Sequence, residues 1–159
     1  MDELTLEISD RLQWRSWLDR NHDSDSIVWL VIYKRSTGRK WIKYPEALEE
    51  AICYGWIDSR TKRVDSEKHV IRFTRRKERT AWSLTNLRTA QALIGSGAMT
   101  IHGMAVLPSD VDGEIRAVEE QERQELAIPD DLSLALKEAG LMDDFQKLSP
   151  SRRRTFDRW

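Results

Sequence analysis

The sequence predicts an α+β protein: a small mixed sheet of three or more strands packed with helices, followed by a C-terminal helical module. Two strand signals and a set of helical stripes carry this reading. Ile27–Tyr33 is a dense β-branched and aromatic run. Val70–Thr74 alternates, with Ile71 and Phe73 on one face and Arg72 and Thr74 on the other. Around them lie segments whose apolar residues recur at helical spacing. With 159 residues the chain buries a core without needing a disulfide or a metal.

Taken in order, Ser9 with Ile8, Leu12, Trp14, Trp17 and Leu18 predicts a capped amphipathic helix ending at Asn21-His22-Asp23, where turn formers cluster. Ile27–Tyr33 suits a central strand buried on both faces. The polar run from Lys34 to Arg39, with Gly38, makes a turn. Pro45 fits a helix first position, Glu46, Glu49 and Glu50 its positive end, and Ala47, Leu48, Ala51 and Ile52 an apolar stripe that Gly55 stops. Trp56–Arg60 and Val70–Thr74 read as short strands joined by a connection from Lys62 to Lys68. Ser83 caps a helix through Leu84, Leu87, Ala90, Gln91 and Ile94, and Thr100 caps a short one that Pro108 stops.

Apolar residues are sparse between Ser109 and Ile128, which reads as a linker or a loosely held solvated helix. The expected organisation is an α+β domain over 1–108, an acidic linker over 109–128 and a helical module over 129–159. That module opens at Pro129-Asp130-Asp131, carries Leu132, Ala135, Leu136 and Ala139, and closes at Gly140. Leu141, Phe145 and Leu148 form a second apolar face, and Ser149-Pro150 opens a last helix through Phe156 and Trp159.

The formal net charge is −1, so overall charge predicts no partner; its distribution does. Between Arg60 and Arg79 bases dominate, with Arg60, Lys62, Arg63, Lys68, Arg72, Arg75, Arg76, Lys77 and Arg79 against Asp65, Glu67 and Glu78. Between Asp110 and Asp131 acids dominate, and most of the seven tryptophans lie in the first half. The single cysteine, Cys53, excludes an intramolecular disulfide and fits a reducing compartment, so a cytoplasmic location is expected. No apolar run reaches membrane-span length, and the acidic start leads into no signal-like stretch, so neither membrane insertion nor secretion is expected. Phosphate-loop, dinucleotide-binding, zinc-helix and paired-cysteine motifs are missing, and His22, His69 and His102 lack metal-ligand spacing. No cofactor and no metal are expected.

Cys53, beside an apolar stripe, reads as a buried inert thiol rather than a nucleophile. Asp58 shares a strand face with Trp56 and Arg60; it is read either as a structural ion pair or as a binding or proton-transfer group. Arginines on alternating strand positions, beside Trp56 and Trp82, present forked donors and flat faces suited to a nucleotide or a single nucleic-acid strand. The competing reading is a solvated basic hairpin with helix-packed tryptophans. The acidic segment is a further candidate to lie against the basic face.

A longer pattern runs through these residues: Trp29-Leu30-Val31-Ile32-Tyr33-Lys34, Ser36-Thr37-Gly38, Tyr44, Glu46, Ala47, Glu50-Ala51, Cys53-Tyr54-Gly55-Trp56-Ile57-Asp58-Ser59-Arg60, Arg72-Phe73-Thr74-Arg75-Arg76-Lys77 and Trp82-Ser83. It extends through Gly97, Met99 and Thr100 and resumes at Ile128-Pro129-Asp130-Asp131-Leu132 and Leu148-Ser149-Pro150-Ser151. In this order it resembles the bacterial and archaeal YdeI/OmpD-associated family, also called OmdA-like or bacteriocin-protection proteins. The resemblance implies a cytosolic α+β domain with a C-terminal helical module, and it supplies no catalytic residues.

The leading expectation is a binding module for an anionic ligand, a nucleotide or nucleic acid, held by Lys34, Trp56, Asp58, Arg60, Arg72, Arg75, Arg76, Lys77 and Trp82. One alternative is a protein docking a partner through its C-terminal helices in a stress or antimicrobial-peptide response. The other is a small enzyme using Asp58 as acid or base, with Lys34 or Arg72 stabilising negative charge.

Overall fold

The computed structural model describes residues 3–24, 27–77, 81–125 and 127–153. Glu78, Arg79, Phe156 and Trp159, named above, lie outside the described residues. The chain divides into two compact units, 1–112 and 113–159.

The first unit is an α+β domain. Its elements run β1 (Glu3–Leu6), α1 (Arg11–Asn21), β2 (Ile27–Tyr33), a 3-10 turn (Arg35–Thr37), α2 (Tyr44–Cys53), β3 (Trp56–Arg63), β4 (Lys68–Arg75), α3 (Leu84–Gly95) and α4 (Ile101–Met104). The four strands form a mixed sheet in the order β1-β2-β4-β3. β1 lies parallel to β2, with Glu3 opposite Ile27 and Thr5 opposite Trp29, while β4 is antiparallel to both of its neighbours. β1 is not expected from the sequence pattern: four residues with two apolar positions are too few to show a period, and only pairing with β2 makes them a strand.

Local signals place most other elements. Asp10, not Ser9, caps α1: its carboxylate accepts from the Gln13 amide at 3.0 Å, and the Gln13 side chain accepts from the Ser9 amide at 2.8 Å. Ser83 caps α3 through the Asn86 amide, and Thr100 caps α4 through the amides of His102 and Gly103. β3 and β4 are longer than the sequence pattern indicates, because Asp65 folds the connection tightly. Its carboxylate accepts from the amides of Glu67 at 2.7 Å and Lys68 at 2.9 Å, which holds it below the usual carboxylate range.

One face of the sheet carries the core. Val28, Leu30, Ile32, Ile71, Phe73 and Trp56 pack against Trp14 and Leu18 of α1, Ala47, Ala51 and Ile52 of α2, and Ala90 and Leu93 of α3. Trp14 is fully buried, stacks on Trp17 at 5.3 Å, meets Phe73 edge-on, and donates its ring N–H to the Ala47 carbonyl at 3.0 Å, so its one polar atom is satisfied. The other face carries a smaller cluster of Val31, Tyr33 and Val70 with Trp29 and Trp41, and no α-helical residue belongs to it.

The acidic stretch is helical: α5 spans Val111–Glu125, so a structured helix occupies most of the segment read as linker or solvated helix. Its first two residues belong to the first unit and the rest to the second. Within the second unit, α6 (Asp130–Glu138) is closed by Gly140 at φ 69°, a left-handed conformation that favours glycine. α7 (Met142–Gln146) and α8 (Pro150–Arg153) follow, with the Arg153 guanidinium donating to the carbonyls of Leu148 and Gln146. No described helix is long and apolar enough to cross a membrane.

Candidate functional site

Strand alternation divides the basic segment between the two faces of the sheet. Arg72 lies directly across from Trp29 on the second face, whereas Arg75 lies across from Trp56 and donates to the Asp23 carbonyl at 3.2 Å. The two arginines therefore do not act on one ligand surface.

Trp56 is fully buried in the core, meets Trp17 edge-on at 5.6 Å and donates to the His22 carbonyl at 3.0 Å. It is not available as a stacking surface, which corrects the expectation for this residue. Arg76 is only 4% exposed, lies over the Trp82 ring at 3.6 Å and donates to the Ala81 carbonyl at 3.2 Å. Burial pulls its guanidinium below the usual arginine range, against the opposing field of Asp58. Arg76 and Trp82 occupy each other, a structural pairing rather than an open anion site.

Asp58 accepts the Tyr44 hydroxyl at 2.9 Å. Burial, and then this hydrogen bond, push the Tyr44 phenol up to about 12. Asp58 and Trp56 keep the same strand face, but Arg60 does not follow them: the register moves from Asp58 opposite Phe73 to Thr61 opposite Ile71, so one extra residue bulges out of β3 between them. Arg60 and Lys77 are exposed, and Lys34 lies next to Glu67 at the end of β4 remote from Arg75. The two ends of that eight-residue strand lie about 23 Å apart.

Cys53 is fully buried, and burial first, then the Glu50 carboxylate, push its thiol up. Glu50, 3% exposed, is held by Arg15 at 2.7 Å. His22 and His102, eighty positions apart in sequence, stack at 3.6 Å beside Tyr54. No group of three or more metal-ligating side chains is gathered among the described residues.

What the fold does bring together is a groove of about 490 Å³ across the second face of the sheet. Trp29, Val31 and Val70 line its floor, Glu3, Thr5 and Glu7 one flank, and Lys62, Arg63 and Lys68 the other. Arg72 borders it opposite Trp29 and gives one donor to the Ser59 hydroxyl at 3.1 Å, leaving the rest of its fork for other acceptors. At the far end Tyr33 donates to Glu7 at 2.6 Å, and Arg39 and Lys68 approach its ring face at 4.9 and 5.7 Å. The sequence analysis did not single out Trp29, which lines this groove, because it sits inside a run that reads as core. No local signal marks it: that Trp29 shares a face with Arg72 follows only from the register of β2 on β4.

A second groove, of about 670 Å³, lies among α1, α2 and α3, with Leu84, Ala92 and Leu93 beneath Arg11, Glu49 and Arg88. Arg11 is paired with Glu49 there. Asp58 lines neither groove.

No curated protein and no solved structure matches the chain. A family model does match residues 6–106, which hold all of α1–α4 and β2–β4. By that match, over well more than half of its residues, the chain belongs to the family described as a domain of unknown function (DUF8412).

Proposed function

We propose that this protein is a cytosolic binding module for an anionic ligand, a nucleotide or a nucleic acid, taken up on the second face of the sheet. The observation that carries the reading is the pairing of Trp29 and Arg72 at one register position, beside a groove flanked by Lys62, Arg63 and Lys68. A half-buried indole offers a flat stacking surface, and the guanidinium next to it offers forked donors to phosphate oxygens. The proposed relationship to YdeI/OmpD-associated proteins agrees with this choice, since Trp29 and Arg72 both stand in the segments that carry the resemblance. Asp58 favours the enzyme reading less, because its carboxylate already accepts Tyr44 and borders neither groove.

Titration of tryptophan fluorescence with single-stranded DNA, at low and moderate salt, tests the proposal. Saturable quenching that weakens steeply with salt is expected, with the signal removed in Trp29→Phe and affinity reduced about tenfold or more in Arg72→Ala. Quenching that persists in Trp29→Phe, or affinity unchanged in Arg72→Ala, would move the ligand off this face.

A further inference from the structure

The groove face is sorted by charge across the strands. β1 and its continuation contribute Glu3, Thr5 and Glu7; β2 contributes Trp29, Val31 and Tyr33; β4 contributes Lys68, Val70 and Arg72; and β3 adds Lys62 opposite Val70. Acid, aromatic and base thus occupy successive lanes about 5 Å apart, along each of which same-face residues repeat about every 7 Å. At the Tyr33 end the outer lanes meet, with Lys68 paired to Glu7 at 3.9 Å, so the open stretch runs from Glu3 and Thr5 across Trp29 to Arg72 and Lys62. A free phosphate or a small dianion has no use for the acidic lane, which repels it. A polymer with charge along one side and neutral polar rings along the other matches all three lanes.

From this ordering we infer that the ligand is an extended single strand of nucleic acid running along β4, phosphates over Arg72 and Lys62, a base on Trp29, and a base edge reaching the carboxylate of Glu3. The inference rests on the reading of the groove proposed above and adds an orientation and a base preference to it. Ionised carboxylates only accept hydrogen bonds. They favour bases that present amino donors, as Glu and Asp do with the cytosine amino group. Adenine and cytosine each offer such a group; thymine and uracil offer one ring N–H between two carbonyl oxygens, which a carboxylate repels. Base identity is therefore read at the β1 flank, while the basic flank sets affinity without regard to sequence.

The test compares octamers of dA, dC and dT by fluorescence at fixed salt, for the full chain and for Glu3→Gln. Glu3 is exposed, so its substitution leaves the core intact. The dA and dC octamers should bind about tenfold more tightly than dT, the worth of roughly one good base contact. Glu3→Gln should narrow that gap by strengthening or sparing dT binding while weakening dA and dC. Lys62→Ala should weaken all three alike and reduce the salt slope by about one. Equal binding of the three octamers, insensitive to Glu3→Gln, would overturn the inference and leave the anion-binding face standing. Mononucleotides binding as tightly as octamers would remove the extended strand, and an oligo-glutamate peptide competing as well as dA would replace nucleic acid with an acidic polypeptide. Failure of every octamer and nucleotide would take the underlying proposal with it.

Discussion

Tyr44 stands at the first turn of α2 and reaches across to Asp58 on β3, so one hydrogen bond ties a partly exposed phenol to a carboxylate on another element. Burial first, and the Asp58 contact second, hold the phenol protonated from its ordinary 10.0 up to about 12. In the unfolded chain the same phenol ionises near its ordinary value, so the folded state keeps a proton that the unfolded state has released. The contribution to stability is therefore fully present below about pH 10 and is lost as pH rises toward 12. Exchanging Asp58→Asn removes the charge and should bring the phenol back toward 10.0, seen as an earlier rise in phenolate absorbance than in the parent chain. An absorbance curve that does not move would mean that burial alone sets the shift.

The joint between α2 and α4 depends on how closely two backbones approach. A Cβ at Gly103 would fall 2.7 Å from the Ile52 carbonyl and nearer still to the Cys53 carbonyl, both backbone atoms that cannot swing aside. Thr100 fixes the same joint, its hydroxyl donating to the Cys53 carbonyl while accepting from the start of α4. A glycine inside a helix ordinarily costs stability relative to alanine, yet here the substitution should destabilise. Gly103→Ala is expected to lose about 1–3 kcal/mol by overpacking. Gly95→Ala, at a site with nothing within 4 Å, should be neutral or gain up to about 1 kcal/mol. Denaturant midpoints measure both, and a neutral Gly103→Ala would show that α4 shifts freely.

At the scale of the molecule, the boundary between the two compact units falls within α5, between Asp112 and Gly113. The larger buried cluster draws every member from Ile8 to Leu93, and its half-buried partners extend only to Leu107. The first unit thus owns a complete core, with Trp14, Trp56 and Phe73 fully buried inside it. A chain ending at Asp112 should fold by itself and unfold in one cooperative transition with buried-tryptophan emission. Broad, non-cooperative melting would show that this unit depends on the residues beyond 112. The same shortened chain is expected to keep the groove, since all of its lining residues fall between Glu3 and Val70.

The amino-acid order determined the fold class and most individual elements, because period-two and helical spacing, caps and tight turns act among neighbours: Ser83 and Thr100 cap the helices they precede. Local signals also marked the segment from Arg60 to Lys77 as basic, but not which side of the sheet each cation serves. Ile27–Tyr33 is apolar on both faces, so nothing within it says that the helices cover Val28, Leu30 and Ile32 and leave Trp29 beside a groove. Trp56 and Trp29 look alike as residues; only packing makes one core and the other surface. The bulge between Asp58 and Thr61 and the pairing of β1 with β2 both depend on residues distant in sequence. The tertiary structure alone decided these, because a strand's pattern gives its alternation, whereas the side it turns to water depends on what the rest of the chain packs against it.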